Sequence, residues 1–226
     1  MPAGFPLGAR ALALAGAVLL AAQGPAARAV EPAAVNNSAL DAPLSYQLLI
    51  GEIGLREGDA GTAYQVMLAA ANRTKEEELF RRATEIALQA RAGEQALAAV
   101  QAWRRAIPES LDAHRYQVQL LVALNRLPDT IEPLRSLIGL TPEAERNGLI
   151  ANVPRFFARN PDPAATAALV EQVLQPYAQA PGTRVAVMAA QGRAWLAASD
   201  TARALELARQ AHAIDPANEA PALLAL

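Results

Sequence analysis

Cysteine is missing from this 226-residue chain. Its absence excludes disulfides, thiolate catalysis, Cys-based metal sites and lipid attachment through an amino-terminal cysteine. It is compatible with an oxidising compartment but does not demonstrate one. Lysine occurs once, at Lys75, so phosphate or Schiff-base chemistry has a single lysine candidate, placed near a turn. The two histidines, His114 and His212, lie far apart with no second ligand at i+4, and are expected to face solvent or cap helices. Basic residues are not in excess: 20 stand against 22 acidic ones, for a net charge of −2. That balance, without a basic stripe, argues against a nucleic-acid partner. There is no Gly-rich phosphate loop and no Gly-x-Ser-x-Gly elbow, so no cofactor or catalytic group is assigned. Aromatics are only 4% of the chain, too few for a sheet protein built on aromatic and β-branched strands.

Alanine, in contrast, supplies about a quarter of the residues, and hydrophobic residues make up 53%. Alanine loses no side-chain entropy in a helix, and its small size lets helices approach closely. The composition points to stacked helices. Beyond residue 30, Arg and Glu interrupt every apolar run before it reaches 18 residues, so no membrane span is expected there.

The amino terminus reads as an address. Arg10 precedes the apolar run Ala11–Ala22, Gln23-Gly24-Pro25 breaks it, and Ala27-Arg28-Ala29 forms a small-x-small site. This is the order of a secretory signal peptide, with cutting expected after Ala29 and export to the periplasm or cell envelope. Loss of Arg10 and Arg28 would take the mature charge from −2 to −4. Residues 30–43 lack periodicity and read as a linker. The sequons at Asn36 and Asn72 are read as chance.

From Leu44 onward, apolar residues recur at helical spacing, with Gly or Pro every 15–20 residues. The pattern predicts helices over Leu44–Arg56, Thr62–Asn72, Glu76–Arg91 (stopping at Gly93) and Gln95–Ala106. A fifth runs from a Ser110 cap to Asn125, and a sixth starts at Asp129. A seventh starts at Thr141-Pro142-Glu143, with Thr141 as cap, and ends at Asn160-Pro161-Asp162-Pro163, which caps the eighth. The ninth and tenth cover Thr183–Ala198 and Thr201–Ile214, and Asp215-Pro216 opens a further, incomplete helix. Pro176, inside the Leu169–Ala180 pattern, is expected to kink a helix. Short turns between so many helices imply antiparallel hairpins.

Pro108 and Pro142 are 34 residues apart. Gly192, Trp195, Ala204, Ala208, Ala211 and Pro216 form the best repeat, and Ile50-Gly51, Gly58, Ala63, Met67 and Ala70 fit nearly as well. The repeat around Ala96, Val100 and Pro108 has a shortened turn, and those around Thr130/Leu134/Pro142 and Ala168 are degenerate. These residues resemble the tetratricopeptide (TPR) signature. The resemblance implies an all-α, right-handed α-solenoid of about five TPR-like hairpins over residues 44–226, plus a partial terminal helix. More loosely, Leu48–Ile53 and Arg82–Leu88 resemble TPR adaptor proteins associated with the outer membrane of Gram-negative bacteria. This chain differs in its shorter length and in lacking a lipid-bearing cysteine.

Among charged and aromatic groups, Glu76-Glu77-Glu78 reads as an acidic first turn favoured by the helix dipole. Arg81-Arg82 and Arg104-Arg105 read as solvated faces. Trp103 and Trp195 are expected to pack between hairpins, and most of Tyr46, Tyr64, Tyr116 and Tyr177 in the core. The TPR resemblance implies a non-catalytic module that binds a protein or peptide on the inward face of its first helices. Mapped here, that face includes Ser45, Glu52, Arg56, Arg91, Arg115, Gln119 and Arg193. The arginines would meet acidic side chains or a carboxylate of an extended segment. The apolar end Leu223–Leu226 leaves a second reading open, an assembly protein that oligomerises through exposed solenoid ends. A helical hydrolase is a third, with no convergent nucleophile–base pair to carry it.

Overall fold

A computed structural model describes residues 42–217, all within one compact unit. The leader, most of the linker and the incomplete helix after Pro216 lie outside the described residues. Those described form ten α-helices and no strand: α1 (Ala42–Arg56), α2 (Ala60–Thr74), α3 (Glu77–Gln89), α4 (Gly93–Ala106), α5 (Leu111–Ala123), α6 (Ile131–Leu140), α7 (Glu143–Asn152), α8 (Pro163–Leu174), α9 (Arg184–Ala197) and α10 (Thr201–Ile214). Consecutive helices pack against one another along most of the chain, and they pair as α1/α2, α3/α4, α5/α6 and α9/α10, with α7 joined to α8 through the short segment between them. The solenoid of five hairpins expected from the repeat is therefore present. Helix α1 starts two residues earlier than expected, at Ala42. Pro43 is tolerated because first-turn N–H groups have no intrahelical partner.

Four hairpins turn in the same way. The first helix of each ends on a residue in the left-handed region: Gly58 (φ 93°), Arg91 (56°), Asn125 (57°) and Ser199 (63°). In each turn the following amide reaches back five residues: Asp59 to Gly54 O (2.8 Å), Ala92 to Ala87 O (2.8 Å), Arg126 to Leu121 O (2.8 Å) and Asp200 to Trp195 O (3.0 Å). This Schellman geometry satisfies carbonyls that the helix end would otherwise leave unpaired. The repeat is thus written in backbone conformation even where glycine is absent. Two sequence expectations are corrected here. Arg91 terminates α3 and does not lie on its inward face. Gly93 is not a stop but the first residue of α4, where an added Cβ would lie 3.0 Å from Leu124 Cδ2. Glycine at 93 permits close approach of α4 to the end of α5.

Small residues make the hairpins. Ala63, Met67 and Ala70 of α2 are buried, and a Cβ on Gly51 of α1 would meet Val66 Cγ1 at 3.2 Å. In the last hairpin, Gly192 of α9 and Ala204, Ala208 and Ala211 of α10 are buried. Large residues fill the space between hairpins. Trp103 and Phe80 are fully buried in one cluster with Ala71 and Ala113. A larger cluster joins Val118, Leu134, Ile138, Ile150, Phe157, Val170 and Val187. Helix α5 serves two cores at once, giving Leu120 and Leu121 to one side and Val118 to the other.

The fourth hairpin departs from the pattern. The spacing predicts a seventh helix running to Asn160, but the chain changes to 3₁₀ geometry over Val153–Phe157. Pro154 has no N–H to continue the α-ladder. The 3₁₀ segment carries the contact with α8, while α7 itself packs mainly on α9. Pro176 acts similarly: α8 ends at Leu174 and one 3₁₀ turn, Gln175–Tyr177, follows, so the proline ends the helix and does not merely kink it. The sixth helix is preceded by a 3₁₀ turn over Leu127–Thr130. Ser110 caps α5 as expected, its Oγ accepting from the Ala113 amide at 3.1 Å. Thr141 does not cap α7; its hydroxyl donates back to Leu137 O at 2.7 Å, holding the end of α6.

Candidate partner-binding face

The first helices of successive hairpins (α1, α3, α5 and α7) stand side by side, and surface cavities run between them. The first, about 450 Å³, lies between α1 and α3 and is lined by Leu48, Leu49, Glu52, Glu78, Arg82 and others. A second of about 450 Å³ lies between α3 and α5, with Arg81, Glu85, Asp112, Arg115, Tyr116 and Gln119. Gln119 also lines a third, with Asn152, Arg155 and Phe156. The fourth, about 480 Å³, extends from Gln119 past Val122 and Leu127 to Arg159 and Pro161. Residues Asp112, Arg115 and Gln119 recur at helical spacing along one stripe of α5. The shared side chains make these cavities one continuous inner face.

Its charge is not uniform. At the amino-terminal end the inward arginines of α3 and α5 have carboxylates. Arg82 donates through Nε and Nη2 to both oxygens of Glu52, each at 2.7 Å, tying α3 to α1. This bidentate bond holds the Glu52 carboxyl below the usual range, its burial working in the opposite direction and Arg82 and Arg56 adding field. Arg81 reaches Asp112 at 3.3 Å and Glu78 at 3.2 Å, and Arg115 reaches Asp112 at 2.9 Å. Further along, Arg155 and Arg159 are exposed, with no ion pair or side-chain hydrogen bond among the described residues. Arg193 of α9 donates to Ala151 O at 3.1 Å, and its pKa is pushed down first by burial and then by the Arg155 charge. The inner face therefore passes from a neutralised end to one with uncompensated cations.

The sequence-derived residues fall unevenly on this face. Ser45, Glu52 and Arg56 share one stripe of α1 by their spacing, though Glu52 is already engaged by Arg82. Arg115 and Gln119 line the α3–α5 cavity. Arg193 is half-buried and committed to a backbone carbonyl, and Arg91 lies in a turn. Sequence reasoning misses Arg155, Phe156 and Arg159. Pro154 inside an otherwise helical pattern is the available signal, since it re-aims the residues after it.

Several side chains that read as solvated in the sequence are structural ties. Arg104 donates to Gln117 at 2.7 Å and to both oxygens of Glu132 at 2.8 and 2.7 Å, linking α4 to α5 and α6. His114 is only 2% exposed, not solvent-facing. Its Nε2 lies 2.9 Å from Pro108 O, and burial, the largest influence, lowers its pKa. His212 is exposed, as expected. Glu77 and Glu78 do occupy the first turn of α3, where Ser110 donates to the Glu77 carboxylate. Trp103 is fully buried, and Trp195 donates to Glu171 at 2.8 Å while Arg203 stacks over its ring at 4.0 Å. Tyr64 is core, its hydroxyl donating to Gln95 O at 3.0 Å; Tyr116 and Tyr177 are half-buried, and Tyr46 is exposed. Among the described residues, no group of three or more His, Asp or Glu is placed to hold a metal ion, and no helix is long and apolar enough to cross a membrane.

No family model and no curated protein matches the sequence. Among solved structures, the chain is similar to MamA protein at 10% identity and a TM-score of 0.44, over 76% of this chain and 92% of that one. It is also similar to TTC0263, a thermophilic TPR protein of Thermus thermophilus, at 15% identity and a TM-score of 0.37, over 80% and 95%. The TPR domain of P58(IPK) shows 16% identity and a TM-score of 0.30, over 80% and 54%. By its own hairpin geometry, the repeated left-handed turn and the buried small residues between paired helices, the chain is a TPR-like helical-repeat protein.

Proposed function

We propose that the chain is an exported, non-catalytic adaptor whose inner face holds an extended segment of a protein partner. The observation that carries this reading is the run of cavities along α1, α3, α5 and α7, the first joined to the second through Arg81 and Glu85 and the rest joined through Gln119. Such a surface offers apolar grip from Leu48, Leu49 and Phe156 and charged groups from Arg115 and Arg155. An extended backbone is the occupant that can touch successive helices at once. The leader-like residues 1–29 support export to the periplasm or cell envelope. Affinity capture from periplasmic extract tests the reading, comparing the natural chain with Arg115→Glu/Gln119→Lys on the inner face and Arg105→Glu on exposed α4. A partner lost only with the inner-face substitutions is the expected result; equal capture by all three removes the assignment.

A second reading, assembly through a solenoid end, has an observation of its own. Helix α1 exposes Tyr46 (66%), Leu49 (56%), Ile50 (43%) and Ile53 (43%). Light scattering coupled to size exclusion tests it: a dimer that Ile50→Lys/Ile53→Lys returns to monomer supports assembly, and a monomer throughout removes it.

A further inference from the structure

The first hairpin carries a second surface, apart from the inner face. A groove of about 410 Å³ runs between α1 and α2, lined by Tyr46, Gln47 and Ile50 on one side and Gln65, Val66 and Ala69 on the other. None of these lining residues is charged. A Cβ on Gly51 would lie 3.2 Å from Val66 Cγ1, so the two helices sit close enough to present one shallow surface. Tyr46, Ile50 and Ile53 recur along it at i, i+4 and i+7, the spacing of a stripe that packs on another helix. Each of the three is nevertheless at least 43% exposed. The Gln47 and Gln65 amides have no hydrogen-bond partner among the described residues.

Resting on the assembly reading above, we infer that this surface meets the same surface of a second copy about a two-fold axis, Tyr46 of each copy seating in the α1/α2 groove of the other. Charge selects this occupant over a head-to-tail contact. Helix α10, in the hairpin at the other end, exposes Arg203, Glu206, Arg209 and His212. Pressed against the α1/α2 groove, those groups would lose water and find no counter-charge. Two copies of the groove bring no like charges together, and a two-fold contact needs a face that is compatible with itself. The glutamines fit the same arrangement, because each amide both donates and accepts and so can bond its own counterpart or the Tyr46 hydroxyl across the axis. Size sets the strength. Helices α1 and α2 have 15 residues each. They therefore span about 22 Å, and at about 9 Å between axes they offer a face about 20 Å wide. That is small beside the roughly 800 Å² that each partner gives to a standard interface, so the dimer is weak and depends on concentration.

Because the chain has no cysteine, single introduced cysteines report the contact without background. At high protein concentration under mild oxidation, at least one of Tyr46→Cys, Ile50→Cys and Ile53→Cys should form a disulfide-linked dimer with itself. It should do so at least tenfold faster than Leu196→Cys on α9 or Ile214→Cys on α10, both exposed at the other end. Charge rescue gives an independent readout. Ile50→Arg and Ile50→Glu should each be monomeric by light scattering, with far-UV circular dichroism unchanged, and an equimolar mixture of the two should recover the dimer. A dimer that cross-links only when Ile50→Cys is mixed with Leu196→Cys or Ile214→Cys overturns the two-fold contact and leaves assembly standing. So does a dimeric natural chain whose charge variants stay monomeric when mixed. A natural chain that is monomeric at every concentration removes the assembly reading and this inference together. If the Ile50→Cys thiol of that monomer also resists maleimide, the chain itself covers the groove.

Discussion

Replacing Arg104 with Ala isolates what binds the second hairpin to the third. The guanidinium is mostly buried, with 17% of the side chain exposed, and it serves two unlike partners. Gln117 is 8% exposed, so its carbonyl oxygen would be left in a place water reaches poorly. An orphaned buried acceptor costs about 1–3 kcal/mol. Glu132 is 66% exposed, and losing a pair so well solvated costs at most about 1 kcal/mol. The sum is dominated by the first contribution, and Arg104→Ala should destabilise by about 2–3 kcal/mol. Urea unfolding at pH 7, followed by circular dichroism, measures the loss. A double-mutant cycle apportions it: coupling of Arg104 to Gln117 should be about 1–2 kcal/mol, and to Glu132 about 0.5 kcal/mol. A change below about 0.5 kcal/mol, or the larger coupling to Glu132, would refute this ordering of buried amide over exposed ion pair.

Other substitutions probe different parts of the account. Arg91→Gly should be neutral or stabilising by up to about 1 kcal/mol in urea unfolding, because Arg91 occupies the left-handed region at φ 56°. It should also leave partner capture unchanged. Gly93→Val should destabilise by about 1–3 kcal/mol in the same assay, since even a Cβ would meet Leu124 Cδ2 at 3.0 Å. His114 sets a pH dependence. Its folded pKa is depressed by burial, so the stability of the neutral state is intact above about pH 6.5 and is lost as pH falls from there through the folded pKa. The melting temperature should therefore decline between pH 7 and 5, and His114→Gln should flatten that part of the profile. The carboxyls of Glu52 and Glu132, lowered by hydrogen bonds from Arg82 and Arg104, act in a separate window, losing their contribution only below about pH 4.5.

The helical-hairpin architecture is legible because alanine at helical spacing reports close packing directly. Ala63, Ala70, Ala204, Ala208 and Ala211 are all buried, as their place in the repeat predicts. The turns are less legible. Gly58 and Asn125 are residue types that favour a left-handed position, while Arg91 and Ser199 adopt the same conformation with no such signal in the sequence. The inner face is readable in part, with Arg115 and Gln119 found and Arg91 misplaced. Helical periodicity carried through Pro154 conceals the 3₁₀ segment that presents Arg155 and Phe156. Charge pattern alone does not separate solvated arginines from ties. Arg82 and Arg104 find their carboxylates 30 and 28 residues away in sequence, on neighbouring helices.

The central claim is that the face of α3, α5 and α7, not the outer face of the second helices, takes the partner. Site-specific photo-crosslinking in intact cells tests it most directly, with the photoreactive residue placed at Gln119 or Asn152 on one side and at Ala98 or Arg105 of α4 on the other. Discrete adducts from Gln119 and Asn152, with none from Ala98 and Arg105, are predicted. Adducts confined to the α4 positions would contradict the account.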